Sequence, residues 1–208
     1  MDERFLLHLG DCFDISKAWP DKVAYLMLTD PPYGISVVKR SNRLRALGYR
    51  DIEGDNSTID IIPLLRLAEN SIIFGGNYFK LPISSGWVVW DKQGGKKVDF
   101  GDCELVWTSY SRPSRIITHI WDGFRRDSEK GKKRVHPAQK PVELLEDLIR
   151  KNTLRGDIVF DPFMGSGSVG VAAVRCGRKF IGCEIDSGYY DIAKKRIEEA
   201  CMQDELLQ

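Results

Sequence analysis

Apolar residues fall in short, nearly continuous runs: Phe5–Leu9, Val23–Thr29, Ser71–Phe74, Trp87–Trp90, Ile158–Phe160 and Phe180–Cys183. A strand with one face in water alternates apolar and polar residues, and a strand covered on both faces does not. The runs therefore predict a largely parallel sheet packed between helices. Each run gives way to a small or polar residue, at Gly10-Asp11, Asp30, Gly75, Asp91, Asp161 and Glu184. Open α/β sheets place their ligands at such strand ends. Between the runs, Ser57/Thr58 caps a helix predicted through Asn70, with Pro63 near its first turn. Pro141–Lys151 carries Val142, Leu145, Leu148 and Ile149 on one face, with Pro141 at the first helical position. Ser168–Cys176 is a small apolar helix closed by Gly177, and a last helix opens at Ser187 with Tyr190, Ile192, Ala193 and Ile197 inward. Glu104–Tyr110 and Arg115–Trp121 predict two strands joined as a hairpin through Ser111-Arg112-Pro113-Ser114. The polar segments 35–56 and 122–135 read as mobile loops within a single domain spanning 1–208.

The 208 residues suffice for one α/β domain with a covered core. With 42% hydrophobic and 29% charged residues, the composition is that of a soluble globular protein. No run approaches the roughly 18 apolar residues of a membrane span, and no leader-like apolar run opens the chain. The five cysteines are scattered without a Cys-x-x-Cys pair, as expected of reduced thiols in a cytoplasmic protein and not of a zinc site. No metal is expected. Charge changes the picture locally: the net charge is +1, but residues 36–50 hold Lys39, Arg40, Arg43, Arg45 and Arg50 with no acid. Residues 112–134 are also strongly basic, through Arg125, Arg126, Lys132, Lys133 and Arg134 among others. Two basic segments on an acidic body form a candidate polyanion footprint, although either is also what a solvated loop looks like.

Two stretches carry chemistry. In Asp161-Pro-Phe-Met-Gly165-Ser-Gly167-Ser-Val-Gly170 a strand runs into a glycine-rich turn and then a helix, and Glu184 ends the next strand. Glycines let backbone approach a ligand closely, and an acid at the second strand end suits ribose hydroxyls. This fits any adenosine-containing cofactor. Asp161 and Phe163 occupy places where a pyrophosphate would need bare N–H groups, which weighs against a dinucleotide. The second stretch is Thr29-Asp30-Pro31-Pro32-Tyr33-Gly34. Two prolines fix φ and remove two donors, so Asp30 and the Pro31 carbonyl stand as rigid acceptors, with an aromatic ring three residues on. Two acceptors hold both N–H bonds of an exocyclic amine and aim its lone pair outward, and Tyr33 is placed to stack on a base flipped from its duplex.

Asp30-Pro-Pro-Tyr, Asp161-Pro-Phe-Met-Gly-Ser-Gly and His136-Pro-Ala-Gln-Lys-Pro141 resemble the S-adenosylmethionine-dependent amino-methyltransferases of DNA. Their order along the chain is similar to that of the permuted β group, and Leu9-Gly-Asp11-Cys12, Ile73–Phe79 and Glu104–Ser109 are similar to segments of small phage and prophage adenine methylases. The usual Thr of the His-Pro-Thr-Gln-Lys-Pro element is Ala138 here.

The resemblance implies a Rossmann-like methyltransferase fold with a mixed, mostly parallel seven-stranded sheet, helices on both faces, a β-hairpin and circularly permuted motifs. It implies methyl transfer from S-adenosyl-L-methionine to N6 of adenine in double-stranded DNA. Asp30, Pro31, Pro32 and Tyr33 would be catalytic, and Asp30 also borders the cofactor. Asp11 and Cys12 would lie at the cofactor's adenine and Glu184 at its ribose. Phe163, Gly165, Ser166, Gly167 and Asp161 would line it, and His136 and Lys140 would meet its methionine end. For His136, holding the Pro137 turn is an equal alternative. Residues 109–135 would recognise the target, and a homodimer is an expectation. Cytosine N4 is the first alternative; an RNA or protein methylase, a dinucleotide oxidoreductase and a non-catalytic DNA-binding module are others.

Overall fold

A computed structural model describes residues 3–40, 45–46, 55, 58–92, 101–121, 126–131 and 135–205. Eight strands form one sheet: β1 (Phe5–Leu9), β2 (Ala24–Thr29), β3 (Ala68–Phe74), β4 (Trp87–Asp91), β5 (Cys103–Thr108), β6 (Arg115–Thr118), β7 (Ile158–Asp161) and β8 (Lys179–Glu184). The described helices are α1 (Cys12–Ser16), α2 (Val37–Arg40), α3 (Val142–Asn152), α4 (Ser168–Arg175) and α5 (Ser187–Glu205). The strand order is β1-β8-β7-β2-β3-β5-β4-β6. Only β5 runs against its neighbours; the other pairings are parallel.

The continuous apolar runs are buried on both faces, as their patterning requires. One face packs Leu26, Leu28 and Phe74 against Leu145, Ile149 and Val171 of α3 and α4, with Ile197 of α5 behind. The other packs Met27, Ile73, Phe160 and Cys183 under Cys12 and the short turn Ile61-Leu64-Leu67. The connection after β7 turns toward β8, and the connection after β2 turns the other way toward β3. The β2/β7 seam is thus the switch point of the sheet, the place where a crevice opens at the strand ends.

Three expectations are corrected. The sheet has eight strands, not seven. The region 57–70 does not form an α-helix: a 3-10 helix covers Ile62–Leu67 and β3 begins at Ala68. Pro63 supplies no N–H, and burial of Ile61, Leu64 and Leu67 at intervals of three matches the three-residue turn of a 3-10 helix. The hairpin between Glu104–Tyr110 and Arg115–Trp121 is also absent. β5 is already paired on both edges, by β3 and β4, so β6 takes the free edge of β4. Smaller shifts occur too: Pro141 is the N-cap of α3, and on α5 Tyr189 is buried while Tyr190 packs half-buried against the core.

Candidate active site

Asp30 follows β2 and Asp161 ends β7, so the seam brings the two chemistry-bearing stretches side by side. Thr29 Oγ1 donates to Asp161 Oδ1 at 2.7 Å across it, and the same oxygen accepts from Phe163 N at 3.1 Å. Above the seam lies a cavity of about 450 Å³. Of the expected site residues, Asp11, Cys12, Asp30, Pro31, Pro32, Tyr33, His136, Lys140, Asp161, Phe163, Gly165, Ser166 and Glu184 all line it.

Gly167 does not. Its φ is +76°, in the left-handed region, and a Cβ there would sit 2.9 Å from that of Ala193. Its place is set by the turn and by close packing on α5. Glu184 closes the glycine-rich turn from the next strand: Oε2 accepts from Gly165 N at 2.8 Å, and Oε1 accepts from Ile185 N and Asp186 N. Asp11 caps α1 through Phe13 N at 2.8 Å. Burial pushes the Asp161 carboxyl up to about 7, opposed by its bonds to Thr29 and Phe163.

On the Asp30 side, Lys140 Nζ lies 2.6 Å from Asp30 Oδ2 and 3.0 Å from Glu104 Oε1. The Tyr33 hydroxyl sits between Asp30 Oδ1 and Glu104 Oε1, 2.7 Å from the latter, with one hydrogen to donate. Burial raises the Asp30 carboxyl above its ordinary range, against the pull of Lys140. The Tyr33 ring stacks on Tyr78 at 4.8 Å between centroids and meets Phe79 edge-on, so one ring face is already covered. This packing needs Gly75, whose Cβ would fall 2.3 Å from the Tyr33 ring.

A profile of the DNA methylase family matches residues 87–195, just over half of the sequence. The chain belongs to that family. The chain is 46% identical over 120 residues to the type II methyltransferase M2.LlaDCHI of Lactococcus lactis subsp. cremoris, covering 56% of this chain and 43% of that protein. It is 44% identical over 79 residues to M2.DpnII of Streptococcus pneumoniae, covering 38% of this chain and 30% of that protein. These alignments span less than half the length of either curated relative. Its fold matches the crystal structure of the M1.HpyAVI–SAM complex with a TM-score of 0.58 and 23% identity, over 93% of this chain and 98% of that one.

Several residues around the cavity carry no signal in the sequence. Glu104 is held by Lys140 and by Lys92, whose Nζ is 2.7 Å away. Burial works to raise its carboxyl, but the two ammonium groups bring it down to about 2. Arg196 of α5 reaches back to Ser166 O and Oγ and orders the glycine-rich turn. Asp55 borders the cavity and accepts from Ile35 N. His136 borders the cavity, and its Nδ1 accepts from Ala138 N at 3.1 Å, which holds the Pro137 turn.

The basic segments are only partly described. Lys39 on α2 and Arg45 are exposed, and Arg126 lies over the Trp121 ring at 5.2 Å. Arg40 lies on α2; Arg43, Arg125, Lys132, Lys133 and Arg134 lie outside the described residues. Among the described residues no cluster suited to a metal occurs, and no helix is long and apolar enough to cross a membrane.

Proposed function

We propose that this methylase transfers a methyl group from S-adenosyl-L-methionine to N6 of an adenine flipped out of double-stranded DNA. The observation that carries the reading is the shared cavity: a rigid amine acceptor, Asp30, and an adenosyl-type cradle, Asp161 to Gly165 with Glu184, open onto one space of about 450 Å³. The residues present fit that cofactor. Apolar walls from Phe163 and Ile185 suit an adenine, and the Asp161 and Glu184 carboxylates suit ribose hydroxyls and an ammonium group. When bound, the cofactor supplies an electrophilic methyl on a cationic sulfonium.

Asp30 and the Pro31 carbonyl accept the N–H bonds of the amine and turn its lone pair toward that methyl. The Asp30 carboxylate would offset the positive charge of the alkylated nitrogen until its proton passes to water. No strong base is needed before attack, so the protein's work would be orientation and charge placement. Tyr33, which borders the cavity, would stack on the base. Lys39, Arg40, Arg43, Arg45, Arg125, Arg126, Lys132, Lys133 and Arg134 would meet the DNA backbone, and 109–135 would read the target. The cytoplasm is the setting this reading implies, with a homodimer as a further proposal.

Asp at the head of the Pro-Pro-Tyr element favours adenine over cytosine N4. The test is the Asp30→Ala variant, which is expected to retain cofactor binding and lose methyl transfer to DNA. Full turnover in that variant sinks the assignment, and N4-methylcytosine in the digested product of the wild type moves the target base to cytosine.

A further inference from the structure

Asp30 has two oxygens, and both are engaged: Oδ1 by the Tyr33 hydroxyl and Oδ2 by Lys140 Nζ at 2.6 Å. A carboxylate that must receive an amine and offset its growing positive charge is poorly served by an ammonium bound to it alone. The ammonium is not bound to it alone. Lys140 Nζ also lies 3.0 Å from Glu104 Oε1, and that oxygen is 2.7 Å from the Tyr33 hydroxyl. Glu104 therefore offers a second acceptor to each of the two donors that occupy Asp30.

We infer that Glu104 is a positioning residue of the methyl-transfer reaction, drawing Lys140 and the Tyr33 hydroxyl away from Asp30 as the amine arrives. The inference rests on the function proposed above. Glu104 does not itself line the cavity, so it acts through these two neighbours. The side chains of Glu104 and Lys140 are each 12% exposed and that of Asp30 19%, so the charges are weakly screened by water. With Glu104 ionised, two carboxylates share Lys140, so the ammonium does not neutralise Asp30 alone. With a neutral side chain at 104, Lys140 has Asp30 as its one anionic partner, and the negative charge opposite the amine is cancelled. Lys92, 2.7 Å from Glu104 Oε2 and 26% exposed, holds Glu104 ionised from the solvent side.

A purely structural Glu104 predicts that further disruption of the cluster makes matters worse. The charge argument predicts the reverse for one specific change, removal of Lys140. Single-turnover transfer of labelled methyl to DNA is measured for the wild type, Glu104→Gln, Lys140→Gln and the double variant, with S-adenosylmethionine binding followed by thermal shift. Glu104→Gln is expected to slow transfer on the order of 10²-fold, with cofactor affinity held within about threefold. Adding Lys140→Gln to it is expected to recover about tenfold or more of the loss. A Glu104→Gln rate within threefold of wild type overturns the inference, and so does a double variant as slow as Glu104→Gln. If Glu104→Gln fails to fold, Lys140→Gln is compared with the double variant. Rates within about threefold support the inference, and a tenfold fall overturns it. A wild type that transfers no methyl to DNA overturns the proposed function itself; an active wild type with the wrong pattern overturns only the role of Glu104.

Discussion

His136 is a neutral ring held in a place that disfavours its cation. Burial, then Lys140 and Arg196, lower its pKa to about 4. Its Nδ1 accepts from Ala138 N, a bond that protonation would destroy. The folded state thus binds fewer protons than the unfolded state between pH 6.5 and about 4. Stability is fully present above pH 6.5 and is lost as pH falls through that window, by up to about 3 kcal/mol. Melting curves across the window are expected to be flatter for His136→Gln than for the wild type; equal slopes would show that the ring is not the titrating group. Asp30 was legible because two prolines follow it and leave it few alternatives as an acceptor. Glu104 was not, because an acid opening an apolar strand looks like a solvated strand end until Lys92 and Lys140 are seen around it.

At the scale of elements, one reversed strand explains that miss. Ligand sites were sought where strands end, and β5 begins on the rim where the others end: its Glu104 pairs with Trp90, next to the end of β4. Nothing in a stretch such as Glu-Leu-Val-Trp-Thr states its direction. Strand existence was readable from the apolar runs, and partners were not, since β6 chose β4 for the edge that β5 no longer had. The glycine-rich turn was read correctly as a turn, but its third glycine serves packing. A Cβ on Gly170 would lie 2.4 Å from Ile197 Cδ1 and 2.7 Å from Phe180 Cε1. Gly170→Ala is expected to cost about 1–3 kcal/mol, with roughly 2–4 °C of Tm for each, by forcing α4 off α5 and β8. Cofactor affinity should change little by comparison, because Gly170 does not line the cavity. An unchanged Tm would mean that α5 yields without cost.

For the molecule as a whole, the room available for reading DNA is small. The segment 109–135 is short and partly committed to the body: Trp90 Nε1 donates to His119 O, and His119 pairs with Ser128 at 2.9 Å. The expected outcome is a short or relaxed recognition sequence, checked by single-molecule sequencing of DNA from cells expressing the methylase. A long, strictly defined methylated site would refute it. Fold class and most of the residues that line the cavity could be read from the chain because each depends on a local pattern. The cluster around Asp30 depends on residues 30, 33, 92, 104 and 140 meeting through tertiary packing, and local pattern carries no record of that.

The seam between β2 and β7 also fixes the timing of assembly. β1 pairs with β8 and β2 with β7, so strands made early in synthesis wait for partners made some 130 to 175 residues later. Until the ribosome has delivered those partners, Asp30 stands on an unfinished edge with no cradle beside it. The cavity above the seam therefore cannot close, nor Asp30 come to lie beside Asp161, until both segments of the chain have been made.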